Sequence, residues 1–307
     1  MARGFYLESR ARREYKMTDS TTTVRRPAGF DQLIEAYDGF IFDVWGTLYD
    51  GRAAYDGAVA VLRRLADRGK PVAILSNSPQ RPEVVAGRLA RIGIDDALYQ
   101  TLVTSGGETH DHLRGRLDRF HADLGPRVFE TGPDRFPNLL DDTAFTAVDR
   151  IEDADLLLNT GPNEPLETVA DYRVLLDHAL SRNLPMICAN PDLHVYVGHE
   201  IQVCAGSLAA EYQSRGGTVR YHGKPHAGVF RTATARLRLP ATRCLMVGDN
   251  YRTDVRGACA LGMGALWLAD GIDRDDLLTD RDVDLTKAGD LLRSEGLSGV
   301  WVMARLA

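Results

Sequence analysis

The chain has 307 residues, with 37 basic against 43 acidic side chains and a formal net charge of -6. That length suggests about two domains of roughly 150 residues. The charge disfavours nucleic acid as the main partner, and no apolar run nears the ~18–20 residues of a membrane span. Of the basic residues only Lys16, Lys70, Lys224 and Lys287 are lysine, so a Lys at a chemically demanding position stands out.

Residues 1–27 read as a flexible tail. They mix Arg with Glu8, Glu14 and Asp19 and lack the apolar core of a secretory signal. Either Met1 or Met17 could be the natural start. Cys188, Cys204, Cys244 and Cys259 are far apart with no C-x-x-C pair, which fits buried thiols in a reducing, cytoplasmic setting.

From Phe30 onward short apolar runs alternate with amphipathic ones. Gly39–Val44 reads as a buried strand, a helix follows around Val59–Ala66, and Pro71–Leu75 is the next strand. A helix from Pro82 to Ile92 and the strand Leu102–Thr104 continue the rhythm. It resumes at Val219–Tyr221, a helix over 228–239, Cys244–Val247, a helix over 253–261 and Ala265–Leu268. Between the halves lie Ala154–Asn159, a long helix around Thr168–Ser181 and Pro185–Ala189. The expectation is an α/β fold: a doubly wound parallel core from 28–109 and 204–307, with an α/β cap inserted at 110–203.

In open parallel sheets, ligands bind beyond the carboxyl ends of the strands. Asp43, Ser76-Asn77, Lys224 and Asp249 sit at or just past four such ends. Two carboxylates can hold Mg²⁺. An ammonium and a hydroxyl can hold phosphoryl oxygens, and one carboxylate can serve as nucleophile. Taken singly, each has an ordinary explanation as a cap, a turn or a surface charge; the ordered set is what is specific. Asp254, five residues after Asp249, could simply favour a helix N-terminus.

The set resembles the haloacid dehalogenase-like hydrolase superfamily. Phe42-Asp43-Val44-Trp45-Gly46-Thr47-Leu48, Leu75-Ser76-Asn77-Ser78, Gly223-Lys224-Pro225-His226 and Gly248-Asp249-Asn250-Tyr251-Arg252-Thr253-Asp254 match its four motifs in order. The long gap between Ser76 and Lys224 is similar to the α/β cap of subclass IIA, the nucleotide, sugar and p-nitrophenyl phosphatases. The resemblance implies a Mg²⁺-dependent hydrolase of a small phosphorylated metabolite acting through an aspartyl-phosphate. Asp43 would be the nucleophile and a metal ligand, with the Trp45 carbonyl, Asp249 and Asp254 completing the metal set. Ser76, Asn77, Lys224 and the Gly46 amide would hold the phosphate. It implies a homodimer through the cap as well.

Phosphatases of that superfamily carry a second Asp two residues after the nucleophile as general acid and base. Here Trp45 stands there, and an indole neither gives nor takes a proton at neutral pH. A small bacterial branch of the subclass carries Trp at this position, and Asn159-Thr160-Gly161 with Asn190-Pro191-Asp192 resembles it. Asp50, Asp192, His194 and His199 are candidate replacements; Asn190, Asp192 and His194 are candidate substrate contacts from the cap. Two alternatives remain open: a phosphate-ligand-binding protein with weak or lost catalysis, and a dehalogenase-type hydrolase. Arg150, Arg173 and Arg182, and His110, His112, His121 and His178, read as polar surface; Tyr172, Leu175, Leu176 and Leu180 read as cap core or dimer packing.

Overall fold

The computed structural model describes residues 24–133, 139–197, 200–279 and 282–306. In chain order, β1 (Val24–Arg25), α1 (Phe30–Ala36) and β2 (Gly39–Phe42) open the fold. Next come α2 (Asp56–Asp67), β3 (Val72–Ser76), α3 (Pro82–Arg91), β4 (Thr101–Thr104) and α4 (Ser105–Gly115). The middle holds α5 (Arg119–Ala122), β5 (Arg127–Thr131), β6 (Thr146–Ala147), β7 (Leu156–Asn159), α6 (Arg173–Ser181) and β8 (Met186–Cys188). A hairpin of β9 (His194–Val197) and β10 (Glu200–Val203) precedes α7 (Ala205–Ser214) and β11 (Val219–Tyr221). Then follow α8 (Ala227–Leu237), β12 (Cys244–Gly248), a π-helical turn at Tyr251–Val255, α9 (Arg256–Ala260) and β13 (Gly264–Leu268). The chain closes with α10 (Arg274–Leu277), β14 (Leu278–Thr279), β15 (Asp282–Val283), α11 (Leu285–Ser294) and β16 (Val300–Met303).

The larger sheet runs β1-β16-β13-β12-β2-β3-β4, with every pairing parallel. Its strands are apolar on both faces because helices cover both. Phe40, Phe42, Val72 and Ile74 pack with Leu33, Val61 and Leu62 on one side. Ile41, Ala73, Met246 and Trp267 pack with Phe230 and Ala258 on the other. Chain order reverses between β2 and β12, so their carboxyl ends frame the crevice in which such folds bind ligands.

The second sheet, β11-β8-β7-β5-β6, is also parallel. This corrects the expected boundary. Val219–Tyr221 reads as a core strand in sequence, yet it pairs with β8, and α7 buries Leu208, Ala209 and Tyr212 against Leu157, Leu176 and Met186. Residues 204–221 therefore belong with the cap. A second correction concerns the tail: Val24 and Arg25 pair with Val300 and Trp301, while residues 1–23 lie outside the described residues. The helix expected over 168–181 divides into a 3-10 turn at Val169–Tyr172 and α6, started by a Thr168/Asp171 capping box. Tyr172 and Leu176 are buried there, with Leu175 and Leu180 packed beside them.

Among the described residues no helix is long and apolar enough to cross a membrane. All four cysteines are free.

Candidate active site

Register brings the acidic residues together. Phe42 pairs with Val247 across β2 and β12, and the Asp43 amide donates to the Val247 carbonyl at 2.9 Å. Asp43 and Asp249 therefore emerge side by side where their strands end. Phe42 also pairs with Ile74, which sets Ser76 two residues further along β3. Lys224 arrives from the cap side, just after β11. All of these side chains are buried, with Asp254 fully enclosed in the π-helical turn.

Lys224 Nζ lies 2.5 Å from Asp43 Oδ1 and 2.7 Å from Asp254 Oδ1. One oxygen of each of Asp43, Asp249 and Asp254 lies within 4.8 Å of the others. Burial disfavours the Lys224 charge, but Asp254, Asp43 and Asp192 together outweigh it and keep the ammonium protonated. Burial also pushes the Asp254 carboxyl up to about 7, with Asp43 adding to the effect and Lys224 opposing it. Asp249 is raised well above the usual carboxylate range by burial and by Asp43 and Asp254. Three carboxylates around one ammonium leave surplus negative charge, and the buried Asp254 Oδ1 has no well-aligned hydrogen bond. A hard divalent cation bound through oxygen fits this donor set.

Two residues have different jobs from those expected. Asn77 spends its side chain on the protein: Nδ2 donates to Asp192 Oδ1 at 2.8 Å and to the Lys224 carbonyl at 3.1 Å, while Oδ1 accepts the Lys224 amide at 2.7 Å. With both N–H groups in use, Asn77 positions Lys224 and Asp192 and has none left for a phosphate. The Gly46 amide likewise donates to the Tyr49 carbonyl at 2.9 Å. Gly46 matters instead for space, since at φ +80° an added Cβ would sit 2.1 Å from Asp249 Oδ2. Gly46→Ala is expected to displace Asp249 and to cost about 1–3 kcal/mol of stability. Denaturant unfolding measures this, and an unchanged midpoint would refute the crowding argument.

Ser76 keeps its expected place. Its Oγ accepts the Ser78 amide at 3.2 Å, leaving its O–H free to donate. The loop after it is held by α4: the Ser78 carbonyl accepts from the Gly106 amide at 3.1 Å and Ser105 Oγ at 2.9 Å. At Gly106 a Cβ would meet the Pro79 carbonyl at 2.1 Å, so only glycine allows this approach.

The other candidates separate. Asp192 joins the site through Asn77, and burial raises its carboxyl, with Lys224 opposing and Asp43 adding. Asn190 shapes the same loop, its Oδ1 accepting the Asp192 amide at 3.1 Å. Asp50 is corrected as a proton donor. It is an exposed turn cap whose Oδ1 accepts the Ala53 and Arg52 amides, and those bonds hold its carboxyl below the usual range. His194 is exposed on β9, and His199 lies outside the described residues. The Trp45 ring packs edge-on against Tyr49, with centroids 5.2 Å apart.

Sequence reasoning missed the Gly271–Ile272 turn, whose Ile272 amide donates to Asp249 Oδ2 at 3.1 Å. A lone glycine after a strand is too common to mark it. It also misplaced several histidines. His178, Arg150, Arg173 and Arg182 are exposed as expected, but His110 and His121 are buried and His112 is half-buried.

Comparison with known proteins adds to this geometry. Residues 40–146 match the family described as haloacid dehalogenase-like hydrolase, and residues 221–291 match a second haloacid dehalogenase-like hydrolase family. The crystal structure of a haloacid dehalogenase-like family hydrolase from Brucella suis is 30% identical, covers 92% of this chain and all of that one, and superposes with a TM-score of 0.78. The chain belongs to the haloacid dehalogenase-like hydrolase family. Among named relatives, ribonucleotide monophosphatase NagD of Escherichia coli is 27% identical over 76% of this chain and 87% of its own length. The 5'-nucleotidase YutF of Bacillus subtilis is 26% identical over 80% and 93%. By family, then, this haloacid dehalogenase-like protein is an enzyme of the hydrolase class, and these relatives support a phosphomonoester hydrolase.

Proposed function

We propose that the protein is a Mg²⁺-dependent phosphatase of a small phosphorylated metabolite, a sugar or nucleotide phosphate, acting through Asp43. The observation that carries this reading is Asp43 Oδ1 held 2.5 Å from Lys224 Nζ, within a cluster that also contains Asp249 and Asp254. Asp43, Asp249 and Asp254 would hold Mg²⁺, together with the Trp45 carbonyl that the family pattern assigns. The ion would neutralise charge on the phosphoryl oxygens.

The chain's own groups carry the rest. An Asp43 oxygen attacks phosphorus, and the bond from phosphorus to the leaving oxygen breaks, giving an acyl phosphate on Asp43. Water then attacks the same phosphorus, releasing inorganic phosphate and restoring the carboxylate. Lys224 and the Ser76 hydroxyl hold phosphoryl oxygens as charge develops on them. Asp192 is the proton donor to the leaving oxygen in place of the acid that Trp45 cannot supply, because burial raises its carboxyl above the ordinary range and favours the protonated form. We place the enzyme in the cytoplasm, in keeping with its four free cysteines.

A panel of phosphorylated metabolites with and without Mg²⁺ tests the reading. Chelation with EDTA is expected to lower turnover at least about 100-fold. Full activity after chelation would overturn the metal assignment and favour dehalogenase-type chemistry. Tight binding of one metabolite without turnover would favour the binding-protein reading that Trp45 invites.

A further inference from the structure

We propose that His112, His121 and His222 form a second metal site, for a nitrogen-preferring ion such as Zn²⁺, which staples together the two crossings between core and cap. His112 lies on α4, the helix that leaves the core, and His121 lies on α5 just beyond it. His222 lies between β11 and Lys224, where the chain returns. One nitrogen of each ring falls within 4.8 Å of the others. The ring centroids are 4.7, 4.7 and 5.1 Å apart.

The hydrogen bonding argues for a cation. His121 Nδ1 is 2.8 Å from Asp118 Oδ1, and His222 Nδ1 is 3.3 Å from Glu108 Oε2. The Asp118 bond keeps the proton of His121 on Nδ1 and leaves a lone pair on its Nε2, the arrangement that orients metal-binding imidazoles. Yet the two Nε2 atoms face each other at 3.1 Å. The His121 lone pair therefore points at His222 Nε2, and such a contact is favourable when a proton or a cation lies between the two nitrogens. A cation fits the spacing, since two nitrogens each about 2.0–2.1 Å from a tetrahedral Zn²⁺ are separated by roughly 3.3 Å.

His112 supplies the third donor. Its buried Nδ1 has no hydrogen bond and stands 3.7 Å from Asp118 Oδ2. A surface cleft lined by Arg81, Glu108, Asp111 and Arg236 opens onto His112. Imidazole donors suit Zn²⁺, Cu²⁺ or Ni²⁺ over Mg²⁺, so this site and the acidic one would select different ions. Glu108 links the site to the crevice: the carboxylate facing His222 also accepts the Gly223 amide at 3.0 Å, next to Lys224. An ion here would fix α4 against the segment that delivers Lys224.

The test uses the full chain carrying Asp249→Asn, which disables the acidic cluster, after exhaustive chelation. Titration is expected to show one Zn²⁺ bound per chain. The melting temperature should rise by about 5 °C at a hundredfold excess over Kd. Co²⁺ as probe is expected to give the intense visible absorption of a low-coordinate nitrogen site, not the weak bands of six oxygens. Adding His112→Gln, at the half-exposed rim, should weaken Zn²⁺ binding at least about tenfold without lowering the metal-free melting temperature. No stoichiometric Zn²⁺ in the Asp249→Asn chain, or equal affinity after His112→Gln, would overturn the proposal. The Co²⁺ spectrum of the chain with all three histidines decides the matter even if the double variant fails to fold, because weak octahedral bands there also overturn it.

Discussion

Asp43→Asn is expected to lower phosphate release from p-nitrophenyl phosphate at least about a thousandfold, or ~4 kcal/mol in the barrier, without unfolding the protein. The amide keeps the shape of the carboxylate but cannot act as the oxygen nucleophile. Stability should survive because Lys224 keeps a partner, Asp254 Oδ1 at 2.7 Å. The substitution also removes one of three mutually repelling carboxylates in the metal-free site. The Coulombic push of Asp43 that helps raise Asp249 and Asp254 is therefore lost, and the metal-free melting temperature should hold or rise. Continuous phosphate-release kinetics and calorimetry read the two effects separately. Unchanged turnover in a folded variant would exclude Asp43 as nucleophile.

The parts of this site legible in sequence are those fixed by strand ends. Asp43, Ser76 and Asp249 each follow an apolar run, and parallel pairing of β2, β3 and β12 makes consecutive strand ends converge. What stayed hidden depends on partners distant in the chain. Val219–Tyr221 is three residues long, and nothing local says whether it pairs with β8 or with the core. Asn77 reads as a phosphate contact until its bonds to Lys224 and Asp192, 147 and 115 residues away, are seen to use both of its N–H groups. His112, His121 and His222 have no metal-ligand spacing, because the third arrives only after the chain has built the cap and returned. Gly46 was legible as a special position but not for its reason, since the crowding atom belongs to Asp249 on another strand.

The missing acid is the point at which sequence and structure together make the sharpest claim. Asp192→Asn is expected to cut kcat/KM on an alkyl phosphate by about 100-fold or more, and on p-nitrophenyl phosphate by less than about threefold. An alkoxide needs a proton as its bond to phosphorus breaks, whereas p-nitrophenolate departs without one. The variant should fold, because its new side chain can still accept the bond from Asn77 Nδ2 that Asp192 Oδ1 accepts at 2.8 Å. The pH profile supplies an independent readout. Burial raises the Asp192 carboxyl, so in the native chain the protonated, donating form persists above the ordinary carboxylate range. The alkyl phosphate rate should then fall as pH rises through that raised value, and Asp192→Asn should lack this limb. If Asp192 only positioned the Asn77–Lys224 pair, both substrates would lose equally and the limb would remain. A shared loss of that kind would return the search for the donor to the cap, with His194 the next residue to replace.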